Sequence, residues 1–193
     1  MTRLGTSATA IILALACAGV FAGCGSSTSA PTPSPTTAGS TTAGDIPDTA
    51  SYVTYRGSGY SVKYVEGWII QQGSGAGVTI SDKDSSETVN FPATSSAGQG
   101  AIAAADLKGL RIHAPQFHLL ASRTVSLPSG QASYIQYRNL SPPDPVTTKR
   151  VTVIVDRYYI SGPHKLATLT LATPVGVDNV DAFRLIARSF AWK

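Results

Sequence analysis

The chain has 193 residues, of which 42% are hydrophobic, and it carries a formal net charge of +4. One hydrophobic core serves roughly 100 to 200 residues, so the length allows a single domain with accessory segments. Fourteen basic and eleven acidic residues follow residue 44, an excess of three positive charges. These basic residues are scattered along the sequence, so we expect no nucleic-acid partner.

The first 23 residues have the layout of an export signal. Arg3 supplies a single positive charge, Ile11 to Ala18 form the centre of an apolar stretch, and the small residues Ala22 and Gly23 follow. A charged start, an apolar centre and a small-residue end are the three parts of a cleavable signal peptide. The pattern predicts a signal peptide at residues 1–23, which would take no part in the folded domain.

The end of this signal resembles the lipobox of bacterial lipoproteins, in the segment Val20-Phe21-Ala22-Gly23-Cys24. The resemblance implies that diacylglycerol is attached to Cys24 and that cleavage makes Cys24 the first residue of the mature protein. It also implies a location at the cell membrane, lipid-anchored on the extracytoplasmic face. Ordinary cleavage after Ala22 and an uncleaved anchor helix are the alternatives.

Residues 24–44 are predicted to form a disordered tether. From Gly25 to Gly44 the chain is rich in Ser, Thr and Pro, with no charge and no large apolar side chain. Such a segment cannot bury enough surface to offset the entropy lost on ordering. A flexible chain of this length spans about 25 Å, and the prolines lengthen it. O-linked sugars on its hydroxyls are the alternative to a plain spacer.

The folded domain is predicted at residues 45–193, and its first half is predicted to consist mainly of strands. Tyr60, Val62 and Tyr64 alternate with Ser61 and Lys63, which is typical of a half-buried strand. Further short strands are predicted at 52–56, 68–72, 77–81 and 87–91, and a helix at 99–112 that ends before Pro115.

The second half predicts two hairpins and a terminal helix. Residues 119–127 and 131–138 flank a Pro-Ser-Gly turn, and residues 146–160 and 165–172 flank a Ser-Gly-Pro turn. In the terminal helix Asp178 is the predicted N-cap, and the apolar stripe is predicted to consist of Val180, Phe183, Ala187 and Phe190. Successive strands followed by a helix predict an α+β fold with an antiparallel β-sheet flanked by helices.

Two segments of the domain resemble the PsbP-like family. The first is Gly59-Tyr60-Ser61-Val62-Lys63-Tyr64 followed by Glu66-Gly67-Trp68, and the second is the ending from Phe183 to Phe190. The resemblance covers about residues 50 to 193 and implies a PsbP-like α/β/α sandwich, as in the LpqN-type actinobacterial lipoproteins. Members of that group are adaptor, assembly or ligand-binding proteins, and the resemblance implies that Trp68 is a core or turn residue.

The sequence carries no recognisable catalytic or cofactor motif. It lacks G-x-S-x-G, H-E-x-x-H, G-x-G-x-x-G and the phosphate-binding G-x-x-x-x-G-K-[ST]. The glycine-rich run from Gly73 to Gly77 is interpreted as a hairpin loop, and Asn139-Leu140-Ser141 as an incidental sequon. His113 and His118 are five residues apart across a proline, and His164 is distant in sequence, so neither a metal nor a cofactor is predicted.

Two functions from different classes remain open. The first is a membrane-anchored, non-catalytic binding or accessory module of the cell envelope, with an envelope protein, a lipid or a glycan as partner and with the domain as a monomer. Its one assignable site residue is Cys24, the predicted lipid attachment point. The second is an envelope hydrolase whose site is not visible as a sequence motif, because the members of a Ser-His-Asp triad converge only in space.

Overall fold

A computed structural model describes residues 44–92, 98–163 and 165–193 of the chain. These residues form ten strands and two helices. In chain order the elements are β1 (Tyr52–Gly57), β2 (Tyr60–Val65), β3 (Ile69–Gln72), β4 (Val78–Ser81), β5 (Ser86–Asn90), α1 (Gln99–His113), β6 (His118–Leu127), β7 (Gly130–Leu140), β8 (Thr152–Ser161), β9 (Leu166–Pro174), α2 (Val180–Ser189) and β10 (Ala191–Trp192).

Seven antiparallel strands form the main sheet, in the order β3-β4-β5-β9-β8-β7-β6. Its long half is built from the two hairpins predicted from their turn residues, β6–β7 and β8–β9. Gly130 begins β7 with a φ of +119°, a conformation that glycine adopts without a steric penalty. The local turn chemistry therefore sets the register of the β6–β7 hairpin.

A second, three-stranded sheet has the order β1-β2-β10. The last strand, β10, pairs with the start of β2, where Ala191 lies opposite Ser61 and Trp192 opposite Tyr60. The backbone N–H of Lys193 also donates to the carbonyl oxygen of Gly59 at 3.1 Å. The end of the chain is thereby tied to its first hairpin, a pairing that the sequence did not predict.

The larger core lies between one face of the main sheet and a layer formed by α2 and the small sheet. Main-sheet side chains such as Ile80, Leu169 and Leu171 are fully buried against it. From the other layer, Val62 of β2 and Ile186 of α2 are also fully buried. This face of the main sheet is therefore covered by protein across most of its strands.

A smaller core lies on the opposite face of the main sheet, under α1. Ala103 of α1 packs with Ile135, Tyr137, Val155 and Tyr159 from β7 and β8. All five are buried. Helices on both faces of an antiparallel sheet confirm the predicted α+β fold, with a predicted helix at 99–112 that extends by one residue to His113.

The predicted strand at 146–160 was wrong in its first six residues, because β8 begins only at Thr152. The carboxylate of Asp144 accepts the backbone N–H groups of Val146 and Thr147, which holds them in a turn. Thr148 follows with a φ of +57°, which breaks an extended conformation. The β-branched residues of this stretch favour a strand, but the hydrogen bonds that Asp144 accepts stabilise a turn there instead.

The start of α2 also differs from the prediction, since the N-cap is Asn179 and not Asp178. Val180 is 57% exposed and lies outside the buried stripe. Phe190 is the C-cap residue beyond the helix, with its ring 1% exposed. Phe183 and Ala187 are buried as predicted.

The Asn179 side chain caps no backbone group of its own helix. Its amide accepts the backbone N–H of Ile46 at 2.8 Å and donates to the carbonyl of Gly44 and the hydroxyl of Thr173, each at 3.0 Å. It also lies 3.3 Å from the Ser85 hydroxyl. This residue therefore joins the start of the domain to α2 and the main sheet.

One carboxyl group lies inside the larger core. Glu87 of β5 is fully buried, opposite Ile80 on one side and Leu171 on the other. Within the described residues, neither of its carboxyl oxygens has a hydrogen-bond partner. Burial raises the pKa of Glu87 well above its ordinary value, because the apolar surroundings disfavour the charged form.

We predict that replacing Phe190 by Ala lowers the free energy of unfolding by about 3 to 5 kcal/mol. The ring is buried between Tyr60, whose ring centroid is 5.8 Å away, and Trp192, whose centroid is 5.2 Å away. Val180→Ala, at an exposed position of the same segment, should change stability by less than about 0.5 kcal/mol. Urea melts measure both variants, and an unmoved midpoint for Phe190→Ala would show that the ring does not stabilise the core.

We predict that Glu87 makes the domain less stable as the pH rises. The unfolded chain releases the Glu87 proton near pH 4.3, roughly the ordinary value, whereas the folded chain keeps it to a higher pH. The free energy of unfolding should therefore fall as the pH rises above about 4.3, up to the raised pKa of the folded state. The nearby Tyr60 does not ionise in this range, because burial raises its pKa further.

Glu87→Gln removes this titration and keeps the size of the side chain. Denaturant melts of wild type and variant over a pH series should show a flatter profile for the variant. Comparing the two chains cancels the contributions of every other titrating group. Parallel profiles would mean that the pKa of Glu87 is the same in the folded and the unfolded chain.

Candidate functional site

The α1 face of the main sheet is only partly covered by its helix. Among the described elements, α1 packs on β7 and β8. The adjoining strands β5 and β9 carry small hydroxyl side chains on this face, at Thr88, Thr168 and Thr170. Threonine tolerates partial exposure because its hydroxyl can bond to water, so this half of the face needs no apolar cover.

A cleft of about 690 Å³ lies on this face, toward the ends of the strands. Its floor includes Tyr137, Val155, Thr170 and Ala172 from three adjacent strands. Its walls are the turn between β4 and β5 and the loop between β7 and β8, residues 141–151. The volume lies in the range of pockets that hold small organic ligands.

The β4–β5 turn is held by hydrogen bonds of its own. One carboxylate oxygen of Asp82 accepts the backbone N–H of Asp84 at 2.9 Å and that of Ser85 at 2.6 Å. The Ser85 hydroxyl lies 3.0 Å from the hydroxyl of Thr173 on β9. This wall is thus fixed both internally and to the sheet beneath it.

The opposite wall has a similar construction around Asp144. Its carboxylate accepts the N–H of Val146 at 3.0 Å, the N–H of Thr147 at 2.6 Å and the Thr147 hydroxyl at 2.8 Å. The hydrogen bonds from Thr147 and Val146 lower the pKa of Asp144. At the base of the loop, the Arg150 guanidinium donates to the carbonyl of Ser141 at 2.9 Å.

The cleft combines apolar, hydroxyl and charged side chains. Its floor is mostly apolar with hydroxyl groups, and Lys83 and Lys149 lie on the walls. The described residues that line it include no histidine and no cysteine. Asp82 and Asp144 each hold a turn through a carboxylate oxygen, and the lowered pKa of Asp144 opposes a role as a general acid.

A charged cluster beside the cleft fixes the position of α1. The guanidinium of Arg157 on β8 lies 2.6 Å from the carboxylate of Asp106 on α1, and the Tyr159 hydroxyl donates to the same carboxylate. Burial and the bond to Asp106 raise the pKa of Tyr159, so its hydroxyl stays protonated. The cluster anchors α1 over β8 and so sets how much of the face the helix covers.

The sequence-predicted site residues do not meet at this cleft. Cys24, the predicted lipid attachment point, and His164 lie outside the described residues. His113 ends α1 and His118 begins β6, and both are exposed. Trp68 follows the turn after β2 and packs partly buried against the larger core, which confirms its interpretation as a core or turn residue.

Two further motifs have structural positions. The run from Gly73 to Gly77 connects β3 to β4, which confirms the interpretation as a hairpin loop. Asn139 of the sequon lies near the end of β7, and both Asn139 and Ser141 line the cleft.

Among the described residues, no group of three potential metal ligands occurs. No helix in that same part of the chain has the length and hydropathy needed to cross a bilayer.

The cleft could not be found by motif, because its residues come from separate strands and loops. The one available signal was in β9, where small or polar residues alternate with fully buried leucines in the sequence LATLTLATP. That alternation indicates a strand with one apolar face and one lightly covered face. Only the strand order shows that this second face borders the cleft.

Comparison of the fold finds a cyanobacterial PsbP, CyanoP from Synechocystis sp. PCC 6803. Its solution structure matches with a TM-score of 0.52 and 19% identity, over 78% of this chain and 99% of that chain. A protein of unknown function from Pseudomonas aeruginosa, PA94, gives a TM-score of 0.49 at 14% identity, over 72% of this chain and 94% of that chain.

A third structure, a protein from Bacteroides thetaiotaomicron, has a TM-score of 0.46 at 12% identity, over 69% of this chain and 45% of that chain. No protein-family model matches the sequence. No curated protein matches it either. The likeness to CyanoP shows a PsbP-like α+β fold and carries no statement about function.

Proposed function

We propose that this chain is a membrane-anchored extracytoplasmic lipoprotein whose folded domain is a non-catalytic binding or accessory module of the cell envelope. The cleft between the β4–β5 turn and the 141–151 loop is its binding site. The observation that carries the proposal is the cleft, whose floor is formed by the main sheet and whose two walls are held by their own hydrogen bonds. The domain that carries this cleft comes after a lipobox-like segment in the sequence.

The anchor is supported by the sequence from Val20 to Cys24 and by the uncharged segment after it. A lipid on Cys24 would hold the domain at the bilayer, and two acyl chains anchor a protein stably where a single chain binds only marginally. The segment of residues 24–44 would then let the domain move near the surface, about 25 Å from the attachment point.

Binding rather than catalysis is supported by how the polar groups of the cleft are used. Asp82 and Asp144 hold their own turns, and Tyr137 and Val155 make an apolar floor. A hydrolase would need a nucleophile and a base within hydrogen-bond reach of each other. An amphipathic ligand, namely a segment of an envelope protein, a lipid or a glycan, suits an apolar floor with lysines on its walls.

We predict that Cys24→Ser abolishes fatty-acid attachment and leaves the folded domain unchanged. Cells fed a clickable fatty acid should label the wild-type chain and not the variant. Cys17→Ser is the matched control, because Cys17 lies within the predicted signal, and it should retain the label. Equal labelling of wild type and Cys24→Ser would exclude the anchor.

We predict that a photo-reactive amino acid at Lys149, on the cleft wall, forms a discrete adduct in intact cells. The same amino acid at Lys108, an exposed position of α1, is the control for surface proximity alone. Mass spectrometry of the adduct identifies a protein, lipid or glycan partner. The same products from both positions, or none from Lys149, would exclude the cleft as the binding site.

A further inference from the structure

Two pairs of basic side chains that are distant in the sequence gather on one surface of the domain. Arg56 lies on β1, Lys63 on β2, and Arg184 and Arg188 on α2. Together they line a shallow, open depression of about 660 Å³. We call these four residues the basic face, and their clustering corrects the impression of scattered charge that the sequence gives.

The fold places this face on the outside of the small sheet and of α2. In β2, the side chain of Val62 is fully buried in the larger core, whereas the next residue, Lys63, is exposed. In α2, Ile186 is fully buried, and Arg184 and Arg188 are exposed. The backbone N–H of Lys63 donates to the Ser189 hydroxyl at 2.7 Å, which holds α2 alongside β2.

Most of this positive charge is uncompensated. Arg184 lies 2.5 Å from the carboxylate of Asp181, and both side chains are well exposed, so water screens the pair. Within the described residues, the other three members of the basic face form no ion pair. Among the residues that line the depression, the four cations and Asp181 leave an excess of three positive charges. Asp48 and Asp178 lie beyond Asp181, in the neighbouring pocket at the start of α2.

The chain enters the domain close to this face. The carbonyl of Gly44, the first described residue, accepts a hydrogen bond from the side chain of Asn179, the N-cap of α2. The ten residues of α2 span about 15 Å. The tether predicted from the sequence would span about 25 Å, which is longer than this helix, so a bilayer that holds Cys24 would be within reach of Arg188 at the far end.

We propose that the basic face docks on the anionic lipid headgroups of the bilayer to which Cys24 is anchored. The proposal rests on the lipid anchor proposed above, which keeps the face near the surface at a high effective concentration. The guanidinium groups of Arg56, Arg184 and Arg188 suit phosphate oxygens, which they can bind in pairs. Docking places the cleft on the far side of the main sheet, open to the envelope and away from the lipid.

The full chain, purified from cell membranes and reconstituted into vesicles, tests this proposal. Hydrogen exchange is measured in vesicles of phosphatidylglycerol with phosphatidylcholine, and in vesicles of phosphatidylcholine alone. We expect slower exchange in peptides from β1, β2 and α2 only with the anionic lipid, and loss of this protection in high salt. Equal exchange in the two lipids would overturn the proposal.

A triple variant with Arg56, Lys63 and Arg188 replaced by Gln should lose this protection. Each basic residue near an anionic surface contributes about fivefold to docking, so three together contribute on the order of 100-fold. The matched control replaces Lys108, Arg111 and Arg138 by Gln, which removes the same charge at exposed positions outside the basic face. Equal protection in the two triple variants would overturn the proposal.

Flotation of the chain separates this proposal from that of the anchor. Flotation with neutral vesicles reports the anchor alone. A chain that does not float with neutral vesicles would exclude the proposed lipid anchor. If that chain still floats with anionic vesicles, and the triple variant does not, docking through the basic face is supported without the anchor. If the face is protected in native membranes and not in anionic vesicles, a protein covers it and the lipid proposal is wrong.

Discussion

The structure depends on how the two faces of the main sheet are covered, because both carry apolar side chains that must be kept from water. One face carries fully buried side chains such as Ile80, Leu169 and Leu171, and it needs both α2 and the small sheet as cover. The other face has apolar side chains chiefly on β7 and β8, where α1 packs. Thr168 and Thr170 of β9 tolerate partial exposure, so the rest of that face needs no helix over it. The cleft lies on this face, and its floor joins Thr170 and Ala172 of β9 to Tyr137 and Val155 of the smaller core.

A small number of buried polar contacts tie these layers together. Asn179 joins the entry of the chain, the start of α2 and the main sheet through hydrogen bonds to Gly44, Ile46 and Thr173. A buried amide without hydrogen-bond partners lowers the stability of the fold, so the bonds of Asn179 favour one arrangement of these segments. Glu87 is the contrasting case, since it is buried without a hydrogen-bond partner among the described residues, and burial raises the pKa of its carboxyl group.

Sequence patterns predicted the elements whose signals are local. The β6–β7 hairpin follows from its Pro-Ser-Gly turn, and α1 from its spacing and the following proline. The strand predicted at 146–160 began too early because Asp144 binds the backbone of the next residues, a competition that composition does not show. The cleft was not predictable, since it requires the register of strands that are distant in sequence. The basic face was not predictable either, since it requires the packing of α2 beside the β1–β2 hairpin.

The positions of the cleft and the basic face determine how the domain would be oriented at a membrane. The basic face and the cleft belong to opposite sides of the main sheet, so a domain docked through one presents the other outward. A flexible tether alone would let the cleft sample every direction near the membrane. Docking through three uncompensated charges would restrict that motion and leave the domain able to detach, because such contacts are individually weak and screened by salt. The anchor would thus determine where the domain is, and the basic face would determine which way its cleft points.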